Sequence, residues 1–265
     1  MSEARGWGVG VEGSLGAQRV GELAVLAERL GYESFWFNVV GRSGDPVATL
    51  WAALAGTTTI EIGVGVFPLD AYPTSDIAPQ LHGAGASTPR AIIGIASGQI
   101  REHVLEVTRE ALATVRGALP QARLATAGYG PRVLDLGGRS ADVVLGSWLT
   151  PERLGWVRQQ IEAGAEAGAR PAPPLYLYHR AATGRDAETR LRQELAAYRR
   201  YPVHRKHQAE MGNPDMIGVA ASDRGQIGRQ VAPYRPHCNI VLRPLTRVAN
   251  DFQEWRSLLE FFAPS

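Results

Sequence analysis

Residues 20–39 read VGELAVLAERLGYESFWFNV, and the period of the apolar positions changes part-way through. From Val20 to Leu30 they recur three and four apart with charged residues between, the pattern of a helix with one buried face. Gly31 supplies its stop. From Ser34 to Val39 apolar residues run together over the length of a strand. A helix followed at once by such a strand is half of a parallel βαβ unit.

The alternation repeats along the chain. Strand-length apolar runs fall at Trp7–Val11, Ser34–Val39, Ile60–Phe67, Ala91–Ala96, Leu124–Ala127, Val143–Trp148, Leu175–Ala181 and Cys238–Leu242. Between them Asp45 caps a helix with Pro46 at its first position, and Thr150-Pro151 opens another in the same way. Arg101–Leu119, Asp186–Tyr201 and Asp251–Phe262 carry the amphipathic helical period. Eight βα units in about 250 residues predict an α/β chain folded as a (β/α)8 TIM barrel, with residues 1–265 as a single domain. Two segments disturb the ideal: Thr74–Pro89, with Gly83, Gly85 and two prolines, reads as a poor third helix. Arg200–Pro236 reads as an insertion before strand eight.

Composition excludes several classes. Lys plus Arg number 28 against 26 Asp plus Glu, giving +2, too even for the broad basic footprint of a nucleic-acid binder. The single cysteine, Cys238, forms no internal disulfide, and no Cys/His pair has zinc-finger spacing. The N-terminus lacks a basic stretch followed by an apolar run, and no apolar run is long enough to span a bilayer. A cytoplasmic protein with a small-molecule substrate, and with neither nucleic acid nor membrane as partner, is expected.

Gly8-x-Gly10-x-x-Gly13 matches the dinucleotide fingerprint, but the end of the second strand carries Asn38 where that fold needs an acid. Barrel sites gather at the carboxyl ends of strands. Those ends here include Glu12-Gly13, Asn38-Val39-Val40, Phe67-Pro68, Ser97-Gly98-Gln99, Gly128-Tyr129-Gly130, Ser147-Trp148, His179-Arg180 and Arg243-Pro244. This reads as a glycine-rich, largely uncharged mouth with one or two arginines. It offers no His/Asp/Glu cluster for a metal and no Ser-His-Asp set, so a bound organic cofactor is expected to carry the chemistry. Gly128–Pro131 reads equally as a phosphate cradle at a helix N-terminus or as a plain βα turn. His204-Arg205-Lys206-His207 reads as a solvated helix face, His179 as a hydrogen-bonded structural histidine, and Tyr176 and Tyr178 as core. Trp148 stands where it could stack on a ring.

These residues resemble the luciferase-like flavin-dependent oxidoreductases, a barrel family that includes monooxygenases and reductases using the deazaflavin coenzyme F420. The resemblance rests on residues 26–37, on Asp45-Pro46 followed by residues 57–66, on Arg90 leading to Gly94–Gly98, and on Ala127–Arg132 with Ala141-Asp142 through Trp148–Glu152. It implies a non-proline cis peptide at Gly65-Val66, ending the third strand behind a flavin ring. It also implies a phosphate turn at Tyr129 and Gly130, with Ser97, Gly98, Ser147 and Thr150 lining the same mouth. Asn38, Val66 and Gln99 complete the expected cofactor contacts, and F420 or FMN is the expected cofactor.

The sequence also departs from the family. Several relatives carry a histidine after the second strand and one carries a glutamate after the fourth; Val39-Val40 and Gln99 stand there instead, so no catalytic residue is assigned. The little chain between helix four and strand five implies a reduced lid, and Trp51 on an outer helix would suit a homodimer. The function implied is hydride transfer between F420, or reduced FMN, and an organic substrate. A monooxygenase using reduced FMN and O2, a non-catalytic flavin-binding homologue and a phosphorylated-metabolite enzyme are the alternatives.

Overall fold

A computed structural model describes residues 6–39, 42 and 44–264. Eight parallel strands close on themselves: β1 (Trp7–Glu12), β2 (Ser34–Asn38), β3 (Glu61–Pro68), β4 (Ala91–Ala96), β5 (Arg123–Ala127), β6 (Val143–Ser147), β7 (Leu175–Thr183) and β9 (Asn239–Pro244). Each pairs with the next, and β9 pairs with both β7 and β1. This is the (β/α)8 barrel read from the sequence, with every strand found within one or two residues of its apolar run.

The ninth strand, β8 (Val219–Ala221), was not foreseen. It runs parallel to β7 at Ala181–Thr183. Because β9 holds the other edge of β7, β8 occupies the edge that β6 leaves beyond Ser147. It belongs to the insertion, which also contributes α8 (Pro202–Glu210) and α9 (Arg224–Val231).

The crossover helices are α1 (Ala17–Arg29), α2 (Pro46–Gly56), α3 (Thr74–Gly83), α4 (Val104–Ala118), α5 (Pro131–Ser140), α6 (Pro151–Ala167), α7 (Ala187–Tyr198) and α10 (Phe252–Phe261). Their starts follow the sequence signals. Asp45 accepts the N–H groups of Val47 and Ala48, and Asp251 those of Gln253 and Glu254. The third helix forms despite Pro79 within it: Ile77, Ala78 and Leu81 bury one face, while Pro79 lies exposed. The carbonyl that Pro79 leaves without an N–H is therefore on the side where water can serve it.

The outward strand faces pack under the helices in two large apolar clusters, one along β1–β5 and one along β6–β9. A third cluster fills the barrel with Trp36, Ile92, Ala125, Val143, Leu145, Tyr176, Tyr178 and Val241. At its base Tyr176 donates to Glu61 at 2.8 Å and Arg123 pairs with Glu61 at 2.9 Å. The connection between α4 and β5, residues 119–122, enters the amino end of a strand. A short segment there leaves the covering of the opposite mouth unaffected, so the expected reduced lid does not follow from it.

Candidate active site at the barrel mouth

Strand alternation sets the mouth. Continuing the inward faces of the interior cluster brings Glu12, Asn38, Val66, Ala96, Ala127, Ser147, Arg180 and Arg243 to the rim, one from each barrel strand. Below them the floor is made of small residues. A Cβ added to Gly10 or Gly65 would come within 3.0 Å of Tyr178, and one on Gly94 would press on the Val64 carbonyl and on Val66.

The Gly65–Val66 peptide is cis, at the position the family resemblance implied. The pairing of β3 with β4 shifts between Val64 and Phe67. Asn38 accepts the Gly13 N–H at 3.1 Å and ties the ends of β1 and β2 together. Val39 is half-buried after β2, whereas Val40 lies outside the described residues. Ser97, Gly98 and Gln99 form the turn after β4. Gly98 has φ +62°, and a side chain there would collide with Asp70. Gln99 is exposed and accepts from Arg101 at 2.7 Å, apart from the rest of the set.

Tyr129 and Ser147 meet directly. Their hydroxyls lie 2.7 Å apart, and the Tyr129 hydroxyl is also 3.2 Å from His204 Nδ1. Burial raises the Tyr129 hydroxyl to about 12, with the Ser147 hydrogen bond and Arg180 opposing. Gly130 caps α5 and is open to solvent with no atom near its Cα face. Thr150 stands at the start of α6, where the Glu152 N–H and then the Thr150 hydroxyl lower the Glu152 carboxyl.

The helix α8 corrects the reading of its basic run. Arg205 and Lys206 are exposed, but His204 is half-buried and His207 is buried. His207 stacks on Tyr129 with ring centres 4.0 Å apart and donates from Nε2 to the Trp148 carbonyl at 2.9 Å. Burial, His207 and Arg180 lower His204 to about 4, and burial also lowers His207. The insertion therefore covers the Tyr129–Ser147 side of the mouth. Trp148 is buried beneath Arg180 and Tyr198, so its indole is not free to stack on a ligand. His179 is buried against Tyr234, and neither ring nitrogen has a hydrogen-bond partner. The hydrogen-bonded histidine expected there is thus an unpaired one, held neutral by burial and lowered to about 3.

The mouth is also more charged than its sequence reads. Arg243 donates to Glu12 at 2.7 Å. The pair opens onto a cleft of about 520 Å³ whose walls include Asp186, Arg190, Glu194 and Arg247. Arg190 and Arg247 donate to main-chain carbonyls and to acidic neighbours. The period of two through β1 and β9 carries the signal for Glu12 and Arg243. Among the described residues no three His, Cys, Asp or Glu side chains gather as a metal site, and no helix is long and apolar enough to cross a membrane.

Residues 3–124 match the family model for luciferase-like monooxygenases. The chain is 25% identical over 187 residues to the 5,10-methylenetetrahydromethanopterin reductase of Methanolobus tindarius. That alignment spans 57% of this chain and 57% of the reductase, little more than half of either. Among solved structures, an F420-dependent secondary alcohol dehydrogenase in complex with an F420-acetone adduct superposes with a TM-score of 0.75 at 16% identity, over 97% of each chain. The coenzyme F420-dependent tetrahydromethanopterin reductase of Methanopyrus kandleri gives 0.72 at 13% identity, over 97% of this chain and 98% of that one. The FMN-bound oxygenating component of 3,6-diketocamphane monooxygenase from Pseudomonas putida gives 0.69 at 12% identity, over 97% of each chain. At these identities the likeness shows a shared (β/α)8 barrel fold. The insertion and mouth described above are thus set on a scaffold common to these proteins.

Proposed function

We propose that this protein is an oxidoreductase that binds F420 or FMN at the barrel mouth and moves a hydride between it and an organic substrate. The observation that carries the reading is the barrel floor beneath the rim, where Tyr178 packs over Gly10 and Gly65 and holds a buried hydroxyl with no partner. Above it, among the described residues, the chain gathers no cluster of metal ligands. The orphaned Tyr178 hydroxyl in that floor and the open face of Gly130 fit a bound F420 or FMN. When bound, the cofactor supplies the hydride-carrying ring.

The chain's own part is positional. Gly65 and Val66 support the ring from β3, with Asn38 at the adjacent strand end. Gly130, at the uncapped start of α5, takes the phosphate, with Tyr129 and Ser147 holding that side of the mouth in register. Ser97, Gly98 and Thr150 border it, and Gln99 reaches the mouth only by leaving Arg101. The Glu12–Arg243 pair and the charged cleft receive a polar part of the substrate. We further place the protein in the cytoplasm as a homodimer paired through the α2 face, where Trp51 is 55% exposed.

Anaerobic mixing with oxidised F420 or reduced FMN, against a panel of alcohols and electron acceptors, tests the reaction. A change in the redox state of the bound coenzyme is expected. Binding with no redox change against any member would favour the non-catalytic reading instead.

A further inference from the structure

Two tyrosines on β7 point into the barrel, and they differ in one respect. Tyr176, near the base, donates its hydroxyl to Glu61 at 2.8 Å. Tyr178, one layer higher, has a buried hydroxyl with no hydrogen-bond partner. Its ring cannot turn away to find one, because it fills the space over Gly10 and Gly65 and meets Trp36 edge-on with ring centres 6.0 Å apart. A buried unpaired hydroxyl is costly and uncommon in a folded protein.

The groups nearest the mouth on neighbouring strands do not satisfy it. Arg180 and Arg243 are the charged residues whose fields reach Tyr178. Arg243 is committed to Glu12 and the Pro244 carbonyl, and Arg180 to the Tyr198 hydroxyl. Both are donors, so neither accepts the Tyr178 proton. Burial raises the phenol above its ordinary range and keeps that proton in place. The side chain is only 8% exposed, and its hydroxyl stands 3.0 Å from a Cβ built on Gly65, on the floor of the mouth.

We propose that Tyr178 is a positioning residue whose hydroxyl donates to an acceptor, a carbonyl oxygen or ring nitrogen, on a planar heteroaromatic ligand seated above it in the mouth, beside Gly65. This rests on the reading that the mouth holds a flavin or deazaflavin ring. The hydroxyl's unpaired state in the free protein is then a cost that the ligand removes, which orients the ring in its own plane.

The test compares Tyr178→Phe with Tyr176→Phe, each in the free protein and in titrations with FMN, reduced FMN and F420. Tyr178→Phe keeps the ring shape and removes the orphan donor. It is expected to raise the melting temperature of the free protein by about 2 °C and to weaken coenzyme binding about tenfold. Tyr176→Phe, which breaks a satisfied hydrogen bond, is expected to lower the melting temperature and leave the dissociation constant within twofold. Wild-type binding with an unchanged dissociation constant in Tyr178→Phe would overturn the inference while leaving the proposed function standing. A lower melting temperature in Tyr178→Phe would overturn it as well, because the hydroxyl would then have a partner in the free protein. A wild-type protein that binds none of the three coenzymes would remove the proposed function and the inference with it.

Discussion

Arg243, at the end of β9, donates to the Glu12 carboxylate, at the end of β1, at 2.7 Å. The bond joins the last barrel strand to the first at the rim of the mouth. Arg243 is 7% exposed and also lies over the Trp255 ring, so its charge is held in place largely out of water. Glu12→Gln leaves that buried cation without its counter-charge and is expected to cost about 2 kcal/mol of stability, less than a fully buried pair because Glu12 is partly exposed. Urea denaturation at neutral pH measures it. A loss under about 0.5 kcal/mol would show that the pair acts as an ordinary surface bridge.

The Tyr129 hydroxyl links β5 and β6 to the insertion through Ser147 and His204. Tyr129→Phe keeps the stack on His207 but removes both polar contacts. Loss of about 1 kcal/mol, with faster amide exchange across residues 202–210 than in α6, is the expected result. Exchange in α8 at the wild-type rate would mean that stacking alone docks the helix.

Acid sensitivity follows from His179. Burial, with Arg180, lowers the folded-state value to about 3 against 6.5 for the free side chain. Between those values the unfolded chain binds a proton that the folded protein refuses. The contribution to stability is full above pH 6.5 and falls as pH drops toward 3. His179→Leu is expected to lessen the loss of stability between pH 7 and pH 5 by about 2 kcal/mol. Parallel urea curves at the two pH values check it, and equal losses in wild type and variant would contradict the assignment.

Glu28, on α1, accepts the N–H groups of Thr58, Thr59 and Ile60 at 2.9, 2.6 and 3.0 Å. Burial raises its carboxyl, but these backbone donors outweigh it and hold the group at about 2. The folded value is depressed, so the contribution is full above the unfolded value of 4.5 and is lost as pH falls toward 2. Glu28→Gln is expected to destabilise by about 1.5 kcal/mol at pH 7, with the difference closing below pH 4. A gap that persists at pH 2 would assign the effect to packing.

The barrel was legible because its strands are apolar runs whose neighbours change to the helical period, as at residues 20–39. β8 was not, since three residues, Val219–Ala221, that pair only with the upper edge of β7 leave no periodic signal. Pro79 misled because a breaker matters less where its missing donor faces water. His204 and His207 stand three apart and share one side of α8, while Arg205 and Lys206 take the other; read as a charge run, the four look uniformly solvated. The place of the cis peptide came from the resemblance rather than from any local pattern. The pairing of Glu12 with Arg243, and the burial of the Tyr178 hydroxyl without a partner, depend on which strands close the barrel, and no stretch of sequence states that.

The central claim is that the mouth holds a flavin or deazaflavin. Its most direct test is an equilibrium titration of the purified protein with FMN, reduced FMN and F420, followed by absorbance and fluorescence, beside a Gly130→Trp variant. The account predicts saturable binding of at least one coenzyme, and loss of that binding when the phosphate turn is filled. Binding of none, with saturable binding of a sugar phosphate in its place, would contradict it.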